Sequence, residues 1–367
     1  MVNDAASRAE HLDILKALGI VSVVYGHAGG PFSVFVSLYH MALFFFVSGY
    51  FYKESYTQAP LMLIKKRLMS LYVPFITFGV LFGLLHNVFY SINLYSDQVQ
   101  SIYNRTVYFA TNREYLLNLV KILSFARVEQ LLSPLWFLPV LFIVNMIFVS
   151  VNYAVFRVGH RTTPRRNDVR LAVLMAVVSC AGFLYYPERN LFLRPVSIAM
   201  AVSIMFYFGY LFRGIEKKVA LKGGVAFACG IFLAASSPFG PIDTGGHTFV
   251  SPPFYIACSL AGIYMNLYLA TRLSGRTLLG RFLLYTGRNT ITILALHFLA
   301  FRMINYVQVV LRGLPAYHTA QHPTLDPSGG WWIAYLAAGV ALPLAARAAY
   351  DRVKQFLFEK QTSPTAA

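Results

Sequence analysis

Long apolar runs separated by short polar breaks set the architecture of this chain. Ten runs are close to the roughly 20 residues that an α-helix needs to cross a bilayer core. They fall at about 11–30, 33–52, 70–90, 134–156, 169–186, 195–213, 219–236, 253–271, 282–306 and 331–350. The runs are continuous and do not alternate in period two, so they read as helices and not as the strands of a barrel. The pattern predicts an all-α fold, a polytopic membrane helix bundle of about ten transmembrane helices. No polar stretch is long enough for a second domain, so residues 1–367 read as one membrane domain with a disordered tail from about 355. Asp13 and Lys16 interrupt the first run and no small-residue cleavage site follows, so this span reads as retained and not as a signal peptide.

Composition strengthens the membrane assignment. The chain is 57% hydrophobic and 12% charged, where soluble domains carry about 25% charged residues. The net charge of +17 raises the question of a nucleic-acid partner. The cations lie between the apolar runs and are not interleaved with aromatics as a nucleic-acid face requires, so no nucleic acid is expected. Membrane proteins hold lysine and arginine in cytoplasmic loops. With the N-terminus inside, that side takes all but eight of the 31 basic residues, the exceptions being Arg105, Arg113, Lys121, Arg127, Arg189, Arg194, Arg302 and Arg312. Both termini are therefore expected in the cytoplasm, in a multi-pass plasma-membrane protein of the bacterial inner-membrane kind. Cys180, Cys229 and Cys258 sit singly in apolar runs and read as small buried hydrophobes, with no metal spacing and no disulfide framework.

Chemistry is sought where ionisable groups enter spans, because they are costly there and usually functional. The first run holds Asp13, Lys16 and His27. Lys16 and His27 are eleven residues apart, about three turns with ~20° of residual rotation and roughly 16 Å of rise, so they share one helix face. Asp13 precedes Lys16 by three residues and can pair with it. His27 has the ordinary pKa to take a proton from a hydroxyl near neutrality. Lys16 could hold an anionic donor, or could equally snorkel to the interface. A lone histidine in a span is ordinarily structural. Here His40 follows in the next run, across a short break containing Gly29, Gly30 and Pro31, so a tight hairpin brings two histidines to similar depth. Ser48 and Gly49 suit close helix packing.

Weaker signals lie further on. Gly287, Arg288, Asn289 and Thr290 open the ninth run, with His297 near its middle, and Trp136 begins the fourth at the outer interface. His86 has no evident partner and reads as structural. The outer segment 91–133 mixes Asp97, Glu114 and Glu129 with Tyr103, Tyr108 and Tyr115, which suits sugar stacking or an interfacial helix and turn. Two Pro/Gly-rich outer loops carry Asp243 with His247, and His318, His322 and Asp326. No GxSxG, P-loop, GxGxxG or HExxH pattern is present, and no inverted repeat of the transporter kind.

At these residues the chain resembles the acyltransferase-3 family. His11 to Lys16, Val24 to His27, Tyr39 to Met41 and Leu43 to Tyr50 carry the resemblance, most closely to the fucose 4-O-acetylase-like and exopolysaccharide O-acetyltransferase branch. Leu135 to Pro139 and Gly287 to Thr290 with His297 agree in order and spacing. The resemblance implies a ten-span enzyme that takes an acetyl or similar group from cytoplasmic acyl-CoA. The acceptor it implies is a carbohydrate, possibly lipid-linked. The family's basic residue and essential histidine fall on Lys16 and His27, and its second histidine on His40. Its basic stretch falls on Lys65, Lys66 and Arg67, with Ser70 where arginine is frequent and Ala42 where proline is typical. No hydrolase domain follows the last span, so the membrane module alone is expected.

The resulting expectation is a carbohydrate O-acyltransferase using acetyl-CoA without a metal. Lys16, Lys65, Lys66, Arg67 and Arg288 would hold CoA phosphates. His27 would serve as base or covalent carrier, with His40, Asp13 and Lys16 supporting it. Trp136, Ser48, Tyr50, Asn289 and His297 would face the acceptor. The rivals are a transporter or flippase for a lipid-linked sugar, and an acyl carrier that passes its group to a partner enzyme.

Overall fold

The computed structural model describes residues 2–99, 106–159, 168–187, 190, 192–273, 275 and 277–362, and Tyr103, Arg105, Arg161, Arg165, Arg166, Arg189 and Arg276 lie outside the described residues. The chain is an all-α membrane bundle. Its helices are α1 (Val2–His27), α2 (Ser33–Ser37), α3 (His40–Tyr50), α4 (Ser55–Gln58), α5 (Pro60–Arg67), α6 (Val73–Leu84), α7 (His86–Ser91) and α8 (Asn112–Leu123). They continue with α9 (Phe137–Val158), α10 (Val169–Leu184), α11 (Arg194–Ile215), α12 (Gly223–Ser236), α13 (Pro252–Arg272), α14 (Leu278–Arg288), α15 (Thr290–Arg312) and α16 (Trp331–Thr362). Among the described residues seven segments are long and apolar enough to cross a membrane, and α10 and α12 are shorter apolar helices.

Helices replace loops or breaks at informative places. The second span is broken at Leu38–Tyr39, so His40 begins a new helix. The third starts at Pro60, ten residues earlier than expected, and a π-helical turn over Leu68–Tyr72 joins α5 to α6. The ninth divides at Asn289 into α14 and α15. The last helix runs to Thr362, past the span end expected at 350.

α1, expected as the first span, is not among those seven segments; it carries Glu10, Asp13 and Lys16 and packs against α2, α3, α13, α14, α15 and α16. Neighbouring helices meet its charges, as Arg288 of α14 does Asp13. Two close crossings build the frame. At the α3–α11 crossing, a Cβ on Gly49 would lie 1.8 Å from the Phe206 carbonyl oxygen, and one on Gly209 would lie 1.9 Å from that of Phe46. At the α1–α14 crossing, a Cβ on Gly287 would lie 1.8 Å from the Asp13 carbonyl oxygen. Small residues let helix backbones touch where no hydrophobic effect drives them together.

In the segment 91–133 the structure shows the interfacial helix and turn, with α8 over Asn112–Leu123. The segment's three carboxylates are committed to structure. Glu114 closes a capping box with Thr111 at the start of α8, and Asp97 accepts from the Tyr90 hydroxyl at 3.0 Å. Glu129 is buried with His86 at 2.9 Å and accepts from Asn118 Nδ2 at 2.7 Å. His86 thus has a partner 43 residues away. Its Nε2 donates to the Val107 carbonyl at 2.9 Å and its ring stacks on Phe109 at 3.9 Å. Removing one member of a buried pair strands the other. Glu129→Ala is expected to cost on the order of 3 kcal/mol, read as a lower unfolding midpoint in detergent. α8 packs on α6 and leaves Leu116, Leu117, Val120 and Leu123 exposed. Of the three cysteines, Cys258 alone is buried and Cys180 is exposed on α10.

Candidate functional site

Four histidines from four parts of the chain converge at the end of α1. His27 is the last residue of that helix, and its ring stacks on His297 of α15 with centroids 5.5 Å apart. Phe298 packs edge-on against His27 at 4.9 Å and against His322 at 4.5 Å. His40 and His322 both lie within electrostatic reach of His27.

The hydrogen bonds of the four differ, and they fix what each ring can do. His40 Nδ1 donates to the Val36 carbonyl at 2.7 Å, and His297 Nδ1 donates to the Ile293 carbonyl at 2.9 Å. A carbonyl can only accept, so each neutral ring carries its proton on Nδ1 and offers a lone pair at Nε2. His297 is fully buried and its Nε2 has no partner. Among the described residues neither His27 nitrogen has a hydrogen-bond partner, and His27 and His40 are only half-buried. An uncommitted, accessible imidazole among imidazole lone pairs can take a proton, and a neighbouring lone pair can then accept the N–H of the imidazolium that forms. Neutral His40 has no free N–H, so it suits accepting and not the stabilisation of an oxyanion. Among the described residues no group of three histidine, cysteine, aspartate or glutamate side chains is arranged to hold a metal.

The middle of α1 is cationic. Asp13 pairs with Lys16 at 2.8 Å and with Arg288 at 3.0 Å. One carboxylate between two cations leaves a net positive site, and the Arg288 side chain is 61% exposed, so its remaining N–H groups are open to an anion. Lys16, Ile20, Val23 and His27 fall on one stripe of α1. Ile20 and Val23, between Lys16 and His27, line an apolar cavity of about 30 Å³ closed by Met41, Phe44, Leu138, Thr290 and Leu294. Asn289 lies at the α14–α15 break, its amide on the Tyr285 carbonyl at 2.8 Å.

Arg67 and Ser48 form a third group. Arg67 turns inward, donating from Nε to Asn145 Oδ1 at 2.9 Å and from Nη2 to Ser48 Oγ at 3.3 Å, with no carboxylate partner among the described residues. Its neighbours do not follow it. Lys65 is exposed, and Lys66 is exposed with its ammonium on the Tyr56 hydroxyl at 3.1 Å. Tyr50 is not beside His27. It lies ten residues beyond His40 on the same helix, about 15 Å of rise, with its hydroxyl bound to Glu216. Trp136 lies at the start of α9 against Gly245 of the 237–252 loop, and Asp243 of that loop is within electrostatic reach of His40. A groove of about 520 Å³ opens beside α1 and α2 along Ser22, Tyr25, Phe32, Phe35 and Val36.

His322 and Arg302 belong to this assembly and the sequence reading left them out. Arg302, one of the eight cations outside the cytoplasmic count, is fully buried in α15. Arg302, Asn305 and Gln308 hold the 313–330 segment over the site: Asn305 Nδ2 donates to the Thr319 carbonyl at 3.0 Å and Gln308 Nε2 to that of Asp326 at 2.9 Å. Three polar residues at three-residue spacing inside an apolar run were the available signal. Asp326 is held down to about 2 by hydrogen bonds from Ser328 and then by Arg312, 2.8 Å away. His322 is pushed down to about 3 by burial and then by Arg302 and His297. The unfolded imidazole titrates near 6.5, so between about 3 and 6.5 the unfolded chain binds a proton that the folded protein does not. Stability from this group is therefore full above 6.5 and lost as pH falls. Unfolding midpoints are expected to drop from pH 7.5 to 5, and to drop less in His322→Gln.

Comparison with known proteins fixes the class of molecule that this bundle and site belong to. A family model described as an acyltransferase domain matches residues 10–348. The chain belongs to that family, acyltransferase-3, and is a membrane acyltransferase. No curated protein and no solved structure matches it significantly.

Proposed function

We propose that this acyltransferase moves an acetyl or similar group from acyl-CoA to a sugar hydroxyl of an exopolysaccharide, lipopolysaccharide or lipid-linked oligosaccharide. The observation that carries the proposal is the layout of α1, with a cationic cluster at its middle and an uncommitted, half-buried His27 at its end, about 16 Å away on the same face. CoA presents phosphates followed by a long, thin pantetheine arm that ends in the thioester. Lys16 and Arg288 suit the phosphates, with Arg67 of α5, which reaches Ser48 of α3, as a further donor. The cavity past Ile20 and Val23 has room for about one water, so the helices would part there to admit the arm. On this reading the cationic cluster faces the cytoplasm, where both termini also lie, in a bacterial inner-membrane protein.

His27 takes the proton of the acceptor hydroxyl as its oxygen attacks the thioester carbonyl. The tetrahedral oxyanion collapses, the carbon–sulfur bond breaks, and CoA leaves as a thiol with the proton returned by His27. A lone pair at His297 Nε2 or His40 Nε2 receives the other N–H of the imidazolium. The groove beside Tyr25 and Val36 suits the lipid of a lipid-linked acceptor, since Val36 also carries the carbonyl that fixes His40.

The test is transfer of label from radioactive acetyl-CoA to extracted lipid-linked oligosaccharides by purified protein. Folded protein that neither binds acetyl-CoA nor releases CoA would overturn the proposal. Lys16→Met is expected to raise the KM for acetyl-CoA roughly tenfold with little change in kcat, the loss of one charge-assisted phosphate contact.

A further inference from the structure

The outer segment over the site contributes a hydrogen-bond donor that the two best-fixed neighbours of His27 lack. Arg302 is fully buried, and its guanidinium holds two outer segments by their carbonyls, Leu94 through Nε at 3.2 Å and Gln321 through Nη1. Its remaining nitrogen, Nη2, lies 3.4 Å from His322 Nδ1. A guanidinium can only donate, so His322 Nδ1 accepts and the proton of the neutral ring sits on Nε2. This is the opposite tautomer to His40 and His297, which keep their protons on Nδ1 against helix carbonyls. His322 Nε2 meets Ser133 Oγ at 3.5 Å. At that length the contact is a loose one, and an oxygen of better geometry can displace it. Ser133 lies three residues before Trp136, in the 3₁₀ turn Gln130–Trp136 that packs on α15.

We propose that His322 and Ser133 form the acceptor subsite, with the Nε2–H of His322 and the hydroxyl of Ser133 binding neighbouring oxygens of an uncharged polyhydroxylated acceptor beside His27. Arg302 is the positioning residue that sets the His322 tautomer. The subsite rests on the acyl-transfer function proposed above. The chemistry selects a polyol because the pair offers donors and no charge of its own. Two adjacent hydroxyls of a sugar ring match a donor pair about 3.5 Å apart.

The experiment measures CoA release from acetyl-CoA by the full chain in nanodiscs, with the methyl glycosides of glucose, galactose and fucose as probes and with water as the reference acceptor. His322→Phe keeps a planar ring and removes both nitrogens, whereas His322→Gln keeps a donor near the Nε2 position. His322→Phe is expected to raise the glycoside KM roughly 10- to 100-fold, because a site built around a hydrogen bond leaves its partner unpaired when the donor is lost. The ratio of CoA release to glycoside over release to water should fall at least tenfold, and His322→Gln should recover most of the glycoside KM. A glycoside KM unchanged in His322→Phe overturns the subsite and leaves the acyl-transfer function standing. Loss of release to glycoside and water alike, without recovery in His322→Gln, overturns it in favour of a structural histidine. Wild-type protein that releases no CoA to any acceptor, or to water alone, overturns the proposed function and the subsite with it.

Discussion

Replacing His27 with alanine is expected to lower acyl-CoA turnover roughly 100- to 10,000-fold, the usual contribution of a general base, while the protein stays folded. Both halves of that result follow from how His27 is held. Its ring nitrogens have no hydrogen-bond partner among the described residues and it is only half-buried, so its removal strands no buried polar group. Its contacts with His297 and Phe298 are ring contacts at 5.5 and 4.9 Å, and those two side chains keep their own packing with Phe301. Turnover measured beside a thermal unfolding curve separates the two effects. A mutant that turns over within tenfold of wild type at an unchanged midpoint would remove His27 from the chemistry. His297→Ala should behave differently. That residue is fully buried with its Nδ1 committed to Ile293, so its loss should cost both stability and turnover.

The second large effect concerns the frame. Gly49→Ala should destabilise the bundle by about 3 kcal/mol, at the upper end of what overpacking costs. The added methyl would lie 1.8 Å from the Phe206 carbonyl oxygen, which belongs to a helix backbone and cannot rotate away as a side chain could. The two helices must separate, and Gly209 meets Phe46 in the same way from the other side. Separation would also shift Ser48, and with it the contact that turns Arg67 inward. The expected result is a lower unfolding midpoint, with a raised KM for acetyl-CoA in whatever protein remains folded. A Gly49→Ala protein as stable as wild type would show that α3 and α11 cross less closely. Gly224→Ala is the control, because nothing lies within 4 Å of a Cβ there.

How much of this was legible beforehand depends on how far apart the interacting residues lie in sequence. The Asp13–Lys16 pair and the shared face of Lys16 and His27 follow from helix geometry and a few residues of sequence. The short break after His27 was enough to bring His40 near it. Arg288 could be marked as a candidate but not joined to Asp13, since 275 residues separate them. Glu129, Glu114 and Asp97 fit sugar recognition or an interfacial helix and turn equally in the sequence, because acids and tyrosines look alike whether they face solvent or one another. Lys65, Lys66 and Arg67 are adjacent in the chain and could not be told apart. A helix rotates each successive residue by about 100°, and the tertiary position of α5 left Arg67 facing Asn145 while Lys65 and Lys66 face outward.

By itself the sequence determined that this is a helical membrane protein, because apolar length and charge placement are local quantities fixed by bilayer thickness and the cost of unpaired backbone groups. It also singled out α1 as the candidate for the chemistry, since ionisable groups are rare in apolar runs and usually functional there. Tertiary structure alone decided the composition of the histidine cluster and the tautomer of each ring. Those depend on which carbonyl or guanidinium meets each nitrogen. For His322 that partner is Arg302, buried in a different helix and brought there by a loop whose path no local pattern encodes.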